Sequence, residues 1–447
     1  PQFVTPLTLA IPVASYSGGL WQAFQRFSGL PTTGAAQSRR RGLAAVRTGL
    51  TIYDWLARKS FESPTTGLRP HRVERFEQGD SLPAFDRRSA RWVCSYSDAQ
   101  ILWPERFVIA LLQDGLAAAQ QSGELFEVLP YHSASVHQGM VQLQSQSSNA
   151  TREFEASLVI NATGASGDRT LLEAGATTSR LFSGTKGSHL FSTYAPLKNA
   201  LRSQGVYAEA SDGRLVFILP CGAGVLIGTT DEPFEDAPET AVATEPEVEY
   251  LLKLVNGILP SVNLQREHIT MHHAGVRPLP RTHSASNAAI PRGHSIVENR
   301  IDDLTWLTLI GGKLTTCRAL AEDVTDRVLE QLSVNRTKST KGRPIPGCGF
   351  ESLIGHGLST ELVQSSLKRE WVTRLSDLVE RRLMLMFHLS LPLETLHQLA
   401  DEMERAGLLS SKHRAAEIDA CVQKLRQFYG RDVLPAADGC TTVASKK

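Results

Sequence analysis

The chain has 447 residues, 41% of them hydrophobic and 21% charged, the composition of a globular protein long enough for about two or three domains. Lys and Arg together number 47 against 46 Asp and Glu, so the net charge of +1 gives no reason to expect nucleic acid as the main partner. The six cysteines are scattered and form no CxxC pair, which indicates neither a zinc site nor a disulfide framework and favours a reducing cytoplasm. No apolar run is long enough to span a bilayer, so any membrane contact is expected to be peripheral.

The first part of the chain, residues 1–95, is rich in proline, glycine and arginine. This composition predicts an irregular, partly helical segment with one clear helix at about 49–57. The chain does not begin with Met, and residues 1–7 resemble an internal stretch of a protein. We therefore expect the N-terminus to be incomplete.

Between residues 96 and 300 the spacing of apolar residues predicts alternating helices and strands. The predicted helices cover 105–121, ended by Gly123, and 245–259. The predicted strands cover 125–129, an antiparallel meander at 133–145 and 152–161, a hairpin at 213–220 and 224–231, and two more strands at 268–279 and 288–298. Residues 156–164 are apolar at consecutive positions, as expected for a strand of a parallel sheet that is covered on both faces.

A strand predicted at 303–310 leads into Gly311, Gly312 and Lys313, and an amphipathic helix follows directly. The N-terminus of that helix would present free N–H groups and a positive dipole end, and the glycines would let a flat or anionic ligand approach the backbone. The alternative is a strand-to-helix turn in which the glycines only provide tightness. Beyond a polar linker at 335–342, three apolar seams predict a helical C-terminal region.

Six motifs taken together resemble the FAD-dependent glycerol-3-phosphate dehydrogenase family. They are YSDAQ at 96–100, VINATG at 159–164, KGSH at 186–189, IGTTD at 227–231, AGVRPL at 274–279 and GGKLTT at 311–316. Members of that family begin with a strand and a GxGxxG turn that holds the FAD pyrophosphate, and this sequence contains neither. Either the chain is a fragment of a longer product, or it has lost that unit.

The resemblance implies an α/β (α+β) protein with a glutathione-reductase-like FAD-binding lobe, an antiparallel substrate-binding sheet and a C-terminal helical domain. The implied domains are an irregular helical segment of the substrate lobe at 1–95, part of the FAD-binding lobe at 96–180, the substrate-binding sheet at 181–300, the returning strand and helix of the FAD-binding lobe at 301–334, and the helical domain at 345–447.

The resemblance also implies which residues contact FAD. Thr163 and Gly164 would lie at a strand end near the cofactor, and Gly311, Gly312 and Thr315 would lie along it. For Thr163 and Gly164 the alternative is a plain turn that follows a strand.

The catalytic candidates are His189, Arg277 and Lys313. Oxidation of a secondary alcohol requires a base for the hydroxyl proton, and His189 is the first candidate for that role. A structural role for His189 remains open, and His272 and His273 are rival bases, although adjacent strand residues face opposite ways.

A phosphorylated substrate needs cations, for which Arg277 and Lys313 are the first candidates and Arg292, with His294, the second. For Arg277 the alternative is a surface salt bridge. Asp231 is expected to have a structural role.

The implied reaction is the oxidation of sn-glycerol 3-phosphate to dihydroxyacetone phosphate, with FAD taking the hydride and a quinone receiving the electrons. The resemblance leaves open peripheral contact with the cytoplasmic membrane face and a homodimer. Two alternatives remain: a flavin oxidase of amino or hydroxy acids with the same fold, and a truncated, non-catalytic remnant that binds no FAD.

Overall fold

The computed structural model describes residues 3–17, 41–62, 67–77, 81–88, 90–137, 139–148, 150–177, 180–210, 212–281, 293–346 and 359–435. The strands are β1 Val4–Val13, β2 Arg72–Arg75, β3 Trp92–Ile101, β4 His132–His137, β5 Met140–Ser145, β6 Thr151–Glu155, β7 Leu158–Asn161, β8 Phe182–Ser192, β9 Gly205–Glu209, β10 Leu215–Cys221, β11 Gly224–Gly228, β12 Glu232–Pro233, β13 Met271–Pro280, β14 His294–Ile301 and β15 Leu304–Gly311. The helices are α1 Leu43–Phe61, α2 Pro104–Ser122, α3 Gly167–Glu173, α4 Ala195–Ala200, α5 Glu245–Ile258, α6 Cys317–Gln331, α7 Thr360–Arg369, α8 Leu375–Asp377, α9 Leu393–Arg405 and α10 Arg414–Tyr429.

The largest sheet of the described chain has nine strands in the order β12-β8-β11-β10-β9-β1-β3-β2, and β13 pairs with the free edge of β8. Side chains alternate between its faces. Residues such as Leu190 and Ile227 point from one face into a buried core beneath α5, where Val248 and Leu251 meet them. The opposite face of β8 and β13 carries polar side chains and glycines beside the buried Phe191 and Met271, and it holds most of the site described below.

The prediction that residues 1–95 are irregular is wrong for β1, β2 and the start of β3. Strand β1 pairs with β3 along its whole length and with β9 at two positions. Proline weakens the local strand signal because it donates no ladder hydrogen bond, yet Pro6 and Pro12 fall where β1 has only one described neighbour. Pairing across about 90 residues therefore overrides a weak local pattern.

The prediction of a strand at 125–129 is also wrong. This segment is irregular, and Phe126 packs back against Gly115 of α2, where a Cβ atom would lie 3.5 Å from the Phe126 ring. Helix α2 itself ends as predicted at Gly123, whose φ of 74° is left-handed. An alternating pattern produces a strand only when another strand lies within reach of its backbone.

A second sheet has the order β14-β15-β7, and β7 runs parallel to β15 with Asn161 opposite Thr308. The consecutive apolar residues of β7 correctly indicated a parallel strand, but Ile160 is exposed. The meander β4-β5-β6 forms a third sheet, as predicted, and packs with α3 against Trp306. This arrangement brings the ends of β7 and β15 together.

The C-terminal region is helical and has its own apolar core, in which the three predicted seams meet. Arg106 of α2 reaches Glu370 through two hydrogen bonds of 2.6 and 2.7 Å, and both side chains are buried. The helical region is therefore fastened to the rest of the chain by a charged contact as well as by apolar packing. None of the helices in the described parts of the chain combines the length and apolar character that crossing a membrane requires.

Candidate functional site

The pairing of β8 with β13 builds the centre of the candidate site. His189 lies opposite His273, Gly187 opposite Gly275, and Thr185 opposite Arg277. Because directly opposed residues share a face, these three pairs form one continuous surface. The sequence placed His189 and Arg277 almost 90 residues apart, and the register of two strands brings them to the same side.

The imidazole rings of His189 and His273 are stacked, with their centroids 4.9 Å apart and their planes inclined by 9°. The His189 ring lies over Gly228, where a Cβ atom would come within 2.2 Å of its Cδ2. Burial, His273 and Arg277 lower the pKa of His189 to about 3, and burial and His272 lower the pKa of His273 to about 4. Both rings are therefore neutral at neutral pH and have a lone pair that can accept a proton.

His272 points away from this surface. A Cβ atom on Gly430, after the last helix, would lie 2.5 Å from Nε2 of His272, so the ring packs against the helical region. Adjacent strand residues face opposite ways, as expected, and the ring that shares the surface with His189 is that of His273. Sequence analysis identified both His272 and His273 as alternative bases, but nothing in the sequence indicated that the rings of His189 and His273 would stack.

Arg277 lies over Gly187, where a Cβ atom would come within 2.2 Å of its Nη2 atom. Its Nη1 donates to Asp231 Oδ1 at 3.0 Å, and its Nη2 donates to Thr229 Oγ1 at 3.1 Å and to the Thr230 carbonyl at 3.2 Å. Both members of the ion pair are about one-third exposed at 33%. Arg277 therefore does form a salt bridge, as the alternative interpretation held. Its partner is Asp231, a contact that the sequence analysis did not predict.

A buried carboxylate supports the turn that holds Arg277. Glu247 of α5 accepts hydrogen bonds from Ser188 Oγ at 2.8 Å and Thr230 Oγ1 at 2.7 Å, and Lys186 Nζ lies 2.8 Å from its second oxygen. Burial alone would raise the pKa of Glu247, but these bonds and those from Thr244 lower it to about 2. Glu247 is therefore an anion that ties β8 to Thr230, whose carbonyl accepts from Arg277.

The two glycine junctions lie at neighbouring strand ends. Gly164 follows β7 with φ 63°, and a Cβ atom there would meet nothing within 4 Å. Gly311 and Gly312 have φ of 74° and 92°, and a Cβ atom on Gly311 would lie 2.5 Å from the Gly293 carbonyl oxygen. Since non-glycine residues rarely adopt such φ values, the backbone itself favours glycine at all three positions. Beside the first junction, Thr163 donates to Asn161 Oδ1 at 2.6 Å.

The junctions adjoin the histidine-bearing surface, because β13 contacts both β15 and the 3₁₀ turn Gly164–Ser166. The open space at Gly164 and the glycine backbone of the second junction fit the close approach of a flat ligand. The residues present therefore fit part of an FAD site, although the sequence holds no GxGxxG turn. Two cavities among the described residues, of about 200 and 470 Å³, lie elsewhere and are not lined by His189 or Arg277.

The remaining predicted site residues are less constrained. Lys313 and Thr315 are exposed, and Lys313 forms no ion pair with a described residue. The helix predicted to start directly after the glycines begins only at Cys317, after the 3₁₀ turn Leu314–Thr316, so the expected helix N-terminus is displaced along the chain. Arg292 lies outside the described residues, and its neighbour His294 bonds Asp323 of α6 at 2.7 Å.

Known proteins support the same architecture. A family model described as FAD dependent oxidoreductase matches residues 5–327. The glycerol-3-phosphate dehydrogenase of Synechocystis is 28% identical over 368 residues, covering 78% of this chain and 60% of that protein. The D-erythritol 1-phosphate dehydrogenase of Brucella abortus is 28% identical over 306 residues, covering 68% of this chain and 58% of that protein. The chain thus spans less than two thirds of the length of these relatives.

The solved structure of the glycerol-3-phosphate dehydrogenase from Bacillus halodurans complexed with FAD has a TM-score of 0.65 and 18% identity, covering 96% of this chain and 83% of that one. This likeness confirms the predicted fold class, including the helical C-terminal region. Because the family model extends over well more than half of the sequence, the chain belongs to the FAD-dependent oxidoreductase family.

Proposed function

We propose that this chain supplies the substrate-binding half of an enzyme that oxidises sn-glycerol 3-phosphate to dihydroxyacetone phosphate with FAD, and that a quinone receives the electrons. The observation that carries the proposal is the shared surface of His189 and Arg277, a neutral base beside a cation, next to two glycine junctions. The two curated relatives described above act on phosphorylated polyols by name, which supports a substrate with one phosphate and at least one secondary hydroxyl.

Arg277 binds the phosphate in this proposal. Its guanidinium is held in place by Thr229 and the Thr230 carbonyl, and a fixed planar donor recognises phosphate oxygens well. The carboxylate of Asp231 competes for the same cation, so phosphate would share or replace that contact. Lys313, which is exposed, would contribute a second positive charge.

His189 accepts the proton of the substrate hydroxyl. The proton must pass to an unprotonated imidazole, and burial together with His273 and Arg277 lowers the pKa of His189, which keeps the ring neutral but also makes it a weaker base. The stacked His273 ring and Gly228 fix the plane of His189, which restricts the direction of its lone pairs. The chemistry that a bound FAD supplies is acceptance of the hydride from the same carbon.

Thr163, Gly164, Gly311, Gly312 and Thr315 would hold the FAD. We include them because the first four stand at the adjoining ends of β7 and β15, and the glycines leave the backbone uncovered. These residues do not include a GxGxxG turn that would bind the pyrophosphate, so we expect them by themselves to bind FAD weakly.

The test is a flavin titration of the purified chain and of a version extended upstream in its gene. We expect the extended version to show flavin absorbance and to bleach anaerobically with sn-glycerol 3-phosphate. A colourless extended protein that cannot be reconstituted with FAD would contradict the proposal and favour the non-catalytic remnant. Bleaching by amino or hydroxy acids but not by a phosphorylated polyol would favour the oxidase.

D-Erythritol 1-phosphate is the second substrate to test, because one relative is named for it. The comparison uses the same reduced-flavin readout with both phosphates at equal concentration. Faster reduction of the flavin by D-erythritol 1-phosphate would support the proposed reaction type but assign this phosphate as the substrate. If neither phosphate reduced the flavin, the assignment of a phosphorylated polyol as substrate would be wrong.

A further inference from the structure

The ring of His273 has a nitrogen atom for which packing gives no reason. Its Nδ1 is buried and has no hydrogen-bond partner among the described residues. An unpaired buried polar atom costs free energy of folding, and such atoms are few in native proteins. A phenylalanine ring could stack on His189 without this cost, so stacking alone does not explain an imidazole at position 273.

The stacked rings also lie at the border of open space. His189 and His273 are both partly exposed, and they share the face of β8 and β13 that carries Arg277. Removal of one hydroxyl proton requires one base, and His189 is the candidate for it. The surface therefore holds a second imidazole, that of His273, to which the reaction assigns no proton.

Gly275 keeps the space beside His273 free of side chains. It is exposed in β13 between His273 and Arg277 on the same face, and a Cβ atom there would meet no described atom within 4 Å. Its φ is not left-handed, so the backbone does not require glycine at this position. Glycine within a strand weakens the strand and often marks the close approach of a ligand. The position fits a small molecule that lies along β13.

The spacing of the polar groups limits the length of that molecule. The Arg277 guanidinium lies over Gly187, where a Cβ atom would come within 2.2 Å of Nη2. Gly187 and His189 are two residues apart on β8, which corresponds to about 6.6 Å at a rise of about 3.3 Å per residue. An ester oxygen and a short carbon chain can bridge this distance between a phosphate and a pair of hydroxyl groups.

We propose that His273 recognises a vicinal diol: its Nε2 binds the hydroxyl adjacent to the one whose proton passes to His189. A hydroxyl group both donates and accepts, so it can bond a neutral imidazole in either tautomer. The inference rests on the proposed function and specifies its substrate class, a phosphate monoester with hydroxyls on two adjacent carbons. In sn-glycerol 3-phosphate, His273 binds the terminal hydroxyl.

The test compares sn-glycerol 3-phosphate with propane-1,2-diol 1-phosphate of matching configuration, which keeps the phosphate and the secondary hydroxyl but lacks the terminal hydroxyl. Anaerobic flavin reduction in the upstream-extended protein gives kcat/KM for both. The parent should prefer sn-glycerol 3-phosphate by about tenfold or more, because a site that bonds a hydroxyl rejects an analogue without it. This preference should vanish in His273→Phe, which keeps a ring for stacking. His273→Gln, whose side-chain amide can still bond a hydroxyl, should retain part of it.

His268→Phe is the matched control, because His268 lies in the 3₁₀ turn after α5 and its ring is likewise stacked, on that of Tyr194. It should keep the preference of the parent. The melting temperature verifies that each variant is folded.

Two results would overturn the role of His273 and leave the proposed function intact. One is a parent that uses both phosphates equally well. The other is a folded His273→Phe variant that is slower with both phosphates by the same factor, since a purely structural role would not distinguish them. If neither phosphate reduced the flavin of the parent, the proposed function would be wrong, and the role of His273 would fall with it.

Discussion

His189 and His273 face each other on neighbouring strands with their ring centroids stacked 4.9 Å apart, and His273 is one of the groups that lower the pKa of His189. Burial is the main reason that the pKa of His189 falls to about 3 and that of His273 to about 4. Two adjacent imidazolium ions in this position would repel each other and Arg277. The pair is therefore maintained in its neutral form by the fold.

The two buried histidines should make the folding stability of the chain depend on pH. The pKa of each ring is lower in the folded chain than the value of about 6.5 expected when unfolded, so the unfolded chain binds more protons once the pH falls below that value. Folding stability should thus decrease from about pH 6.5 towards pH 4. The His189→Asn variant should lose less melting temperature over this range than the parent does, as measured by circular dichroism.

His137→Asn is the control for this effect, because His137 is exposed on the meander. It should lose as much melting temperature as the parent on acidification. If His189→Asn behaved in the same way as this control, the buried pair would not be the origin of the acid sensitivity.

A substitution at Gly164 should affect cofactor binding much more than folding. A Cβ atom at Gly164 meets no protein atom within 4 Å, although φ is 63°, so Gly164→Ala should cost only about 1 kcal/mol of backbone strain. Where a flavin approaches this glycine, the methyl group should lower FAD affinity by about tenfold or more. Fluorescence titration of FAD into an upstream-extended chain measures the change.

Gly123→Ala is the matched control, with φ 74°, no atom within 4 Å of the added Cβ, and a position at the end of α2. It should show the same small loss of stability and unchanged FAD affinity. Equal FAD affinities for the Gly164 and Gly123 variants would remove Gly164 from the cofactor site.

Arg277 should control substrate affinity. Arg277→Ala should raise the KM for sn-glycerol 3-phosphate by about tenfold to a hundredfold, because a charged hydrogen-bonded contact contributes about 1.5–3 kcal/mol. Asp231→Asn should keep a hydrogen-bond acceptor for Arg277 while removing the competing charge, so its KM should stay equal or fall. Steady-state kinetics of the flavin-loaded, upstream-extended enzyme compares the two.

Arg214 provides the control, because it forms a similar ion pair with Glu232 at 2.9 Å in the same sheet. Arg214→Ala should leave the KM unchanged. An unchanged KM in Arg277→Ala as well would mean that the Arg277–Asp231 pair serves the sheet and not the substrate.

The buried pair Arg106–Glu370 should be a major support of the helical region. Glu370→Ala leaves a buried guanidinium without its partner and should cost about 3–5 kcal/mol of unfolding free energy. The double variant Arg106→Met, Glu370→Leu should recover most of that loss, because it leaves no buried charge unpaired. Chemical denaturation measures both.

Arg152→Ala is the corresponding control, since its ion pair with Glu127 is exposed and should contribute little. If Glu370→Ala were no more destabilising than Arg152→Ala, the buried pair would not support the interface.

Local features of the fold were readable from the sequence because a few neighbouring residues determine them. Helix α5 begins where Thr244 and Glu247 bond each other, at 2.9 Å, and ends before Pro260, close to its predicted bounds. The glycine junctions, with Gly164 at one of them, were recognised for the same reason, since a left-handed backbone favours glycine whatever lies nearby. The hairpin of β10 and β11 likewise needs only a short turn.

The relationships that make a site were decided by the tertiary structure. Strand β1 joined the sheet through partners about 90 residues away, against its local composition. Arg277 met Asp231, and His273 stacked on His189, only because β13 pairs with β8 in one particular register. A shift by one residue would turn each of these side chains to the opposite face. The sequence by itself therefore determined which residues could carry out the chemistry and where the backbone turns, whereas long-range strand pairing decided which residues meet, because register depends on partners distant in the chain.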